Sequence, residues 1–155
     1  VNFHKQLFHH DPDNGIFGDC YRTCLANLFG MTPEEVPHFY RGREYDLEVA
    51  EAKEWLVARG FRLARVLFDG SARPQDVLYL FGANNLGLFY LFSGRSRTGC
   101  NHVVIARDDA IVHDPSLTDA GIIGPMSHGY YEIELLTPEN GMASHALRVA
   151  EACAE

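Results

Sequence analysis

The chain has 155 residues, 46% hydrophobic and 22% charged, with a formal net charge of −8 and a sequence pI of about 5.4. That length suits one globular domain spanning 1–155 and able to bury most of its core. The acidic balance excludes the electrostatic footprint of a general nucleic-acid binder. No apolar run is long enough for a bilayer span. The opening VNFHKQLFHHDPDNG carries His and Asp where a signal peptide would be continuously apolar. The expected location is therefore cytoplasmic, and Val1 in place of an initiator methionine points to a trimmed start.

Residues 1–17 read as irregular, with a turn cluster at Asp11-Pro12-Asp13-Asn14-Gly15. A helix then opens at Cys20, where Cys20, Cys24, Leu25 and Leu28 recur at helical spacing and Gly30 suits a left-handed stop. Thr32-Pro33-Glu34-Glu35 has the form of a capping box with proline at the first helical position. It predicts a short second helix ending near Pro37. A third helix is expected from an Asp46 N-cap to Arg59, closed by Gly60, with Leu47, Ala50, Trp55 and Ala58 facing inward. Residues 61–68 read as a strand, 73–81 as a short helix with proline in its first turn, and 86–92 as an apolar strand. Strands at 102–107 and 111–114 form a hairpin, 130–136 alternates as a further strand, and 142–154 suggests a terminal helix. Helices first and a small antiparallel sheet afterwards make an α+β fold.

The four cysteines, Cys20, Cys24, Cys100 and Cys153, fit no zinc-ribbon or knuckle spacing, so neither metal nor other cofactor is expected. Cys20 is singled out by its place. It follows the flexible Gly18-Asp19 step at the start of a helix, where the backbone dipoles favour a thiolate, the nucleophilic form of cysteine. Cys24, one turn further in, reads as a core residue.

Such a nucleophile needs a base, and the chain has eight histidines. His102 heads the apolar run Val103-Val104-Ile105-Ala106 and so stands at the end of a buried strand. Asp114 closes the next strand, with Pro115 behind it. If Arg107-Asp108-Asp109 forms a three-residue turn, Ala106 pairs with Ala110 and His102 faces Asp114 across the hairpin. A two-residue turn would instead send Asp114 to the opposite face. An aspartate on the same face could fix the imidazole tautomer and orientation, as a nucleophile–base–orienter arrangement requires. His113, next to Asp114, is the rival base but should point away from it. For the oxyanion the Cys20 backbone N–H is one natural donor, and Asn14 and Gln6 are the side-chain candidates. The loop Gly94-Arg95-Ser96-Arg97-Thr98-Gly99 is a basic patch on an acidic chain. Arg95 and Arg97 are therefore candidates for meeting an acidic group on a substrate, although a solvated loop is the simpler alternative.

Three stretches carry a family resemblance: Gly18-Asp19-Cys20-Tyr21-Arg22-Thr23-Cys24-Leu25-Ala26, then Pro33-Glu34-Glu35-Val36-Pro37-His38-Phe39, and Ser93-Gly94-Arg95-Ser96 with His102-Val103-Val104 and Val112-His113-Asp114-Pro115. Together they resemble a group of small proteins common in bacteriophage and bacterial genomes. That group looks related to papain-like and bacteriocin-processing cysteine peptidases. The resemblance implies a papain-like single domain with Cys20, His102 and Asp114 as its triad. Papain-like enzymes carry a glutamine before the cysteine at the interval where Asn14 stands here. The only upstream glutamine is Gln6, so the second oxyanion donor departs from the family pattern. The Gly-Asp-Cys opening is also similar to that of ovarian-tumour-type deubiquitinases, except that Phe17 stands where they favour an aspartate.

The expected activity is thiol-dependent hydrolysis of an amide, by a cysteine peptidase, isopeptidase or amidase working through a thioester. The expected substrate is a peptide or protein, with no nucleic-acid or membrane partner. Acyl transfer of the transglutaminase kind is the alternative within the same chemistry. A non-catalytic phage protein that binds a host protein, in the host cytoplasm, is the alternative from another class.

Overall fold

The computed structural model describes residues 3–139. The expected helix at 142–154, with His145 and Cys153, lies outside them. The chain divides into two compact units, residues 3–64 with 136–139, and residues 65–135. Its composition of helices and an antiparallel sheet is the expected α+β class. No described helix is long and apolar enough to cross a membrane.

In the first unit, helix α1 (Cys20–Phe29) ends at Gly30, whose φ of 65° is the left-handed conformation glycine adopts without a Cβ penalty. The capping box is present, with Thr32 and Glu35 each bonding the other's backbone, but it opens only a 3-10 turn, Pro33–Glu35. Helix α2 (Tyr45–Val57) starts after Glu44 rather than Asp46. Its inward face also differs from expectation. Leu47 is 48% exposed and Glu48 only 4%, and Ala50 and Ala58 are exposed. Glu48 turns inward because its carboxylate accepts the backbone N–H groups of Arg41 (2.6 Å) and Arg43 (2.9 Å). Ala52 and Leu56 follow it on the same stripe. Phe29 packs edge-on against Trp55 and Phe61, linking α1 and α2 to the start of the first strand.

The strands β1 (Phe61–Asp69), β2 (Phe89–Arg95), β3 (Asn101–Arg107), β4 (Ala110–His113) and β5 (Tyr130–Pro138) form one sheet in the order β1-β5-β2-β3-β4, of which residues 65–135 belong to the second unit. β2 starts three residues later than the expected strand at 86–92. Gly87 has φ +80°, and a turn bond from Leu88 to Asn85 holds this stretch out of the sheet. Helix α3 (Pro74–Gly82) lays Val77, Leu78 and Phe81 over Tyr90, Phe92, Val104, Ala106, Tyr131 and Ile133. Burying each large apolar side chain in such a cluster contributes roughly 1.5–3 kcal/mol.

By strand alternation His102 lies on this same face, opposite Gly94. Gly94 is the one partner that leaves room there. A Cβ on it would come within 2.5 Å of Ile122 Cγ2 and 2.6 Å of the Gly124 carbonyl oxygen. The segment after β4 therefore crosses the end of the sheet above Gly94, and Ile122 joins the core cluster. Gly94→Ala is expected to lower the unfolding free energy by about 1–3 kcal/mol in urea titration, because the close approach is to backbone as well as side chain. An unchanged midpoint would show that the segment yields freely.

Candidate functional site

In the second unit His102 and Asp114 meet. His102 Nε2 lies 2.7 Å from Asp114 Oδ1, in the range of a charge-assisted hydrogen bond, and His102 is only 7% exposed. The route to this contact differs from the three-residue turn expected. Arg107 pairs with Ala110, leaving a two-residue turn at Asp108-Asp109, and Ala106 pairs with Ile111. Ile105 then pairs with His113, so Val112 is an extra residue, a β-bulge. A two-residue turn alone would have put Asp114 on the wrong face. The bulge shifts the count by one and restores its face, with Asp114 as a diagonal rather than a direct neighbour of His102.

The turn itself is held from outside the hairpin. Asp108 sits at φ +52°. Its carboxylate accepts the Gly87 N–H at 2.7 Å and its carbonyl accepts the Tyr90 hydroxyl at 2.7 Å.

The Asp114 carboxylate takes two further hydrogen bonds, from the backbone N–H of Ser116 to Oδ1 (2.8 Å) and of Gly121 to Oδ2 (2.8 Å). Desolvation raises its pKa. The bonds from His102, Ser116 and Gly121, with the attraction of the imidazole, outweigh that effect and bring it from 3.8 down to about 2. Asp114 is thus an anion throughout the physiological range. Because Nε2–H is donated to it, the neutral imidazole carries its basic lone pair on Nδ1. His113 is half-buried at the end of β4, one residue out of phase with Asp114.

In the first unit Cys20 is the first residue of α1 and is half-buried, whereas Cys24 is fully buried. The N–H of a first helical residue has no acceptor within its own helix. Asp19 occupies the N-cap position yet makes no side-chain cap. Its carboxylate, 1% exposed as a residue, instead accepts the Phe8 N–H (2.9 Å) and Arg22 Nε–H (2.9 Å). Segment 4–8 is also tied to α1 by Asn27, whose side-chain amide exchanges two hydrogen bonds with the His4 backbone. Gln6 lies within this strap, buried, and donates from Nε2 to the Phe8 carbonyl at 2.7 Å. Asn14 is exposed in the turn, and its amide is engaged with Asp11 Oδ2 at 2.7 Å.

Two histidines, His10 and His38, grip Gly18. His10 Nδ1 accepts the Gly18 N–H (3.2 Å), and His38 Nε2–H donates to its carbonyl (3.2 Å). His38 also stacks on Phe8. Burial lowers the His38 pKa, outweighing the opposing pull of the Gly18 carbonyl, so the ring is neutral near pH 7.

The basic loop separates its two arginines. Arg97 donates a guanidinium N–H to the Asp119 carbonyl. The Arg95 side chain lies across Gly124, where a Cβ would stand 2.9 Å from its Nη2. Among the described residues the Arg95 guanidinium makes no hydrogen bond or ion pair. Ser96 is buried, with its hydroxyl held by Thr98 and the Cys100 carbonyl. Among the described residues no group of three or more His, Cys, Asp or Glu could hold a metal ion. Comparison with family models, curated proteins and solved structures finds no match to the chain.

Because Asp114 has a folded pKa below its unfolded one, its contribution to stability is fully present above about pH 3.8 and is lost as the pH falls through about 2. Asp114→Asn is expected to cost about 1–2 kcal/mol at pH 7. The gap from wild type should close between pH 4 and pH 2 in denaturant titrations. A gap independent of pH over that range would show that the carboxylate charge is not what the site holds.

Proposed function

We propose that the chain is a thiol-dependent hydrolase of amide bonds in a peptide or protein substrate, on a papain-like architecture, with Cys20 as nucleophile, His102 as base and Asp114 as orienter. The observation that carries this reading is the His102–Asp114 hydrogen bond at 2.7 Å. An aspartate ionised throughout the physiological range, bonded to Nε2–H, fixes the ring and makes Nδ1 the proton acceptor. Cys20 supports it from the first position of a helix that carries no side-chain cap.

In the reaction His102 Nδ1 takes the thiol proton and the thiolate attacks the carbonyl carbon. The proton then passes to the departing amine, leaving a thioester that water cleaves. Asp114 stabilises the imidazolium formed between the two transfers. The Cys20 N–H offers one oxyanion donor, and Gln6, buried and locked by Phe8, is better prepared than Asn14 to offer the second. Arg95 is the arginine of the basic loop left to meet an acidic group on the substrate.

The test uses a set of peptidyl vinyl sulfones followed by peptide mapping. Cys20 is expected to be modified ahead of Cys24, Cys100 and Cys153, and His102→Ala to slow that reaction by about 10²–10⁴. Turnover of an amide library should vanish in Cys20→Ala. Products appearing only when an amine acceptor is added would assign acyl transfer instead. Full-rate labelling in His102→Ala, or preferential labelling of Cys24, would remove the triad and leave a binding protein.

A further inference from the structure

Three hydrogen bonds to the Asp114 carboxylate come from places of unequal security. His102 is held in β3. The Ser116 N–H lies two residues from the carboxylate, in a local turn that aspartate forms readily. The Gly121 N–H arrives from seven residues away, and its position depends on the path of the chain between them. That path is not a relaxed one. Asp119 adopts φ +49°, and a non-glycine residue in the left-handed region persists only where its surroundings hold it.

The turn has bonds of its own, Thr118 N–H to Ser116 Oγ at 3.2 Å and Asp119 N–H to the Ser116 carbonyl at 3.5 Å, and the basic loop adds others. The Arg97 N–H donates to the Ala120 carbonyl at 3.1 Å, and the Arg97 guanidinium donates to the carbonyl of Asp119, the strained residue itself. Two residues earlier, Arg95 N–H donates to Gly124 O and Ile123 N–H donates to Arg95 O, both at 2.8 Å. Backbone bonds thus align the two segments, and the Arg97 side chain secures the residue where strain is concentrated.

We propose that Arg97 is a positioning residue, fixing the 116–121 turn so that the Gly121 N–H meets Asp114 and, through it, orients His102. It does not act as a reader of substrate charge. The catalytic meaning of this role rests on the hydrolase reading, but the hydrogen-bond chain does not.

The experiment uses the full chain labelled with nitrogen-15 and carbon-13, comparing wild type with Arg97→Ala, Arg97→Lys and Arg97→Gln. In Arg97→Ala the Gly121 amide is expected to exchange about five to ten times faster, while Val104 and Ile105 in β3 keep their protection. The Asp114 carboxyl carbon should titrate at a midpoint moved up from about 2 toward 3.8. Arg97→Lys, which can still donate to the Asp119 carbonyl, should restore part of both effects. Labelling of Cys20 by the vinyl sulfone should slow in the same order.

An unchanged Asp114 midpoint and Gly121 exchange in Arg97→Ala would overturn the proposal. If only reactivity toward acidic substrates were then lost, Arg97 would return to substrate recognition. Should Arg97→Ala open the whole unit, the two conservative variants decide. A graded rise of the midpoint from Lys to Gln supports the role, and no rise in either overturns it. A wild type whose Cys20 never reacts with the vinyl sulfone removes the hydrolase reading while leaving the resonance outcomes valid. An unchanged midpoint with normal labelling does the reverse.

Discussion

An aspartate carboxylate withdrawn from water has to find replacement donors, and in the second unit that requirement falls on Asp114. Its side chain is 13% exposed, and it remains ionised because three N–H groups converge on its two oxygens. Each donor imposes a condition on the backbone. The imidazole must share the face of the hairpin on which Asp114 stands, so β4 carries a bulge. The Ser116 amide requires the chain to turn immediately after Pro115. The Gly121 amide requires a left-handed return over Gly94, the one position in β2 where a side chain would block the passage. These irregularities look unrelated along the sequence but answer one electrostatic demand.

A related demand operates around Cys20. An aspartate at a helix N-cap ordinarily turns its oxygen onto the first amides of the helix. Asp19 does not, because Arg22 and the Phe8 amide claim its carboxylate. The positive end of α1 therefore lacks a side-chain acceptor from its own cap residue. The Arg22 guanidinium, 2.9 Å from Asp19 Oδ2, offsets the charge of that carboxylate beside the start of α1. The same carboxylate draws in the strap that contains Gln6. One buried ion pair leaves the helix start without a cap from its own N-cap side chain. Removing either partner would leave an uncompensated buried charge, an expensive state.

The features legible in the sequence were those decided locally. Helical spacing from Cys20, the glycine stop at Gly30, and proline at the start of α3 depend on residues within a turn or two of one another. The inward face of α2 did not yield to the same reasoning. Glu48 is buried because the backbone at Arg41 and Arg43 requires an acceptor there, and no periodicity records that need. The start of β2 was misplaced for a similar reason. Residues 86–88 are apolar enough for a strand, but the Gly87 conformation and the Asp108 carboxylate hold them in a turn. Gly121 and the two histidines on Gly18 were missed altogether, since separations of 7, 8 and 20 residues through irregular chain leave no pattern to read.

The His102–Asp114 contact was reached from the sequence even though the pairing beneath it was different. A three-residue turn without a bulge and a two-residue turn with one displace the partner by two positions. Side chains in a strand alternate with period two, so both arrangements put Asp114 on the face of His102. They differ only in whether the carboxylate lies directly opposite the ring or diagonally across from it. Asp108 favours the bulged solution because Gly87, Tyr90 and the close approach at Gly82 hold it in the shorter turn. The diagonal placement carries Asp114 past the end of the ladder, where both carboxylate oxygens can be reached by amides of the following segment. Direct pairing would have kept its backbone within the ladder and its neighbours extended. The bulge therefore changes more than register: it places the carboxylate where the chain can fold back around it.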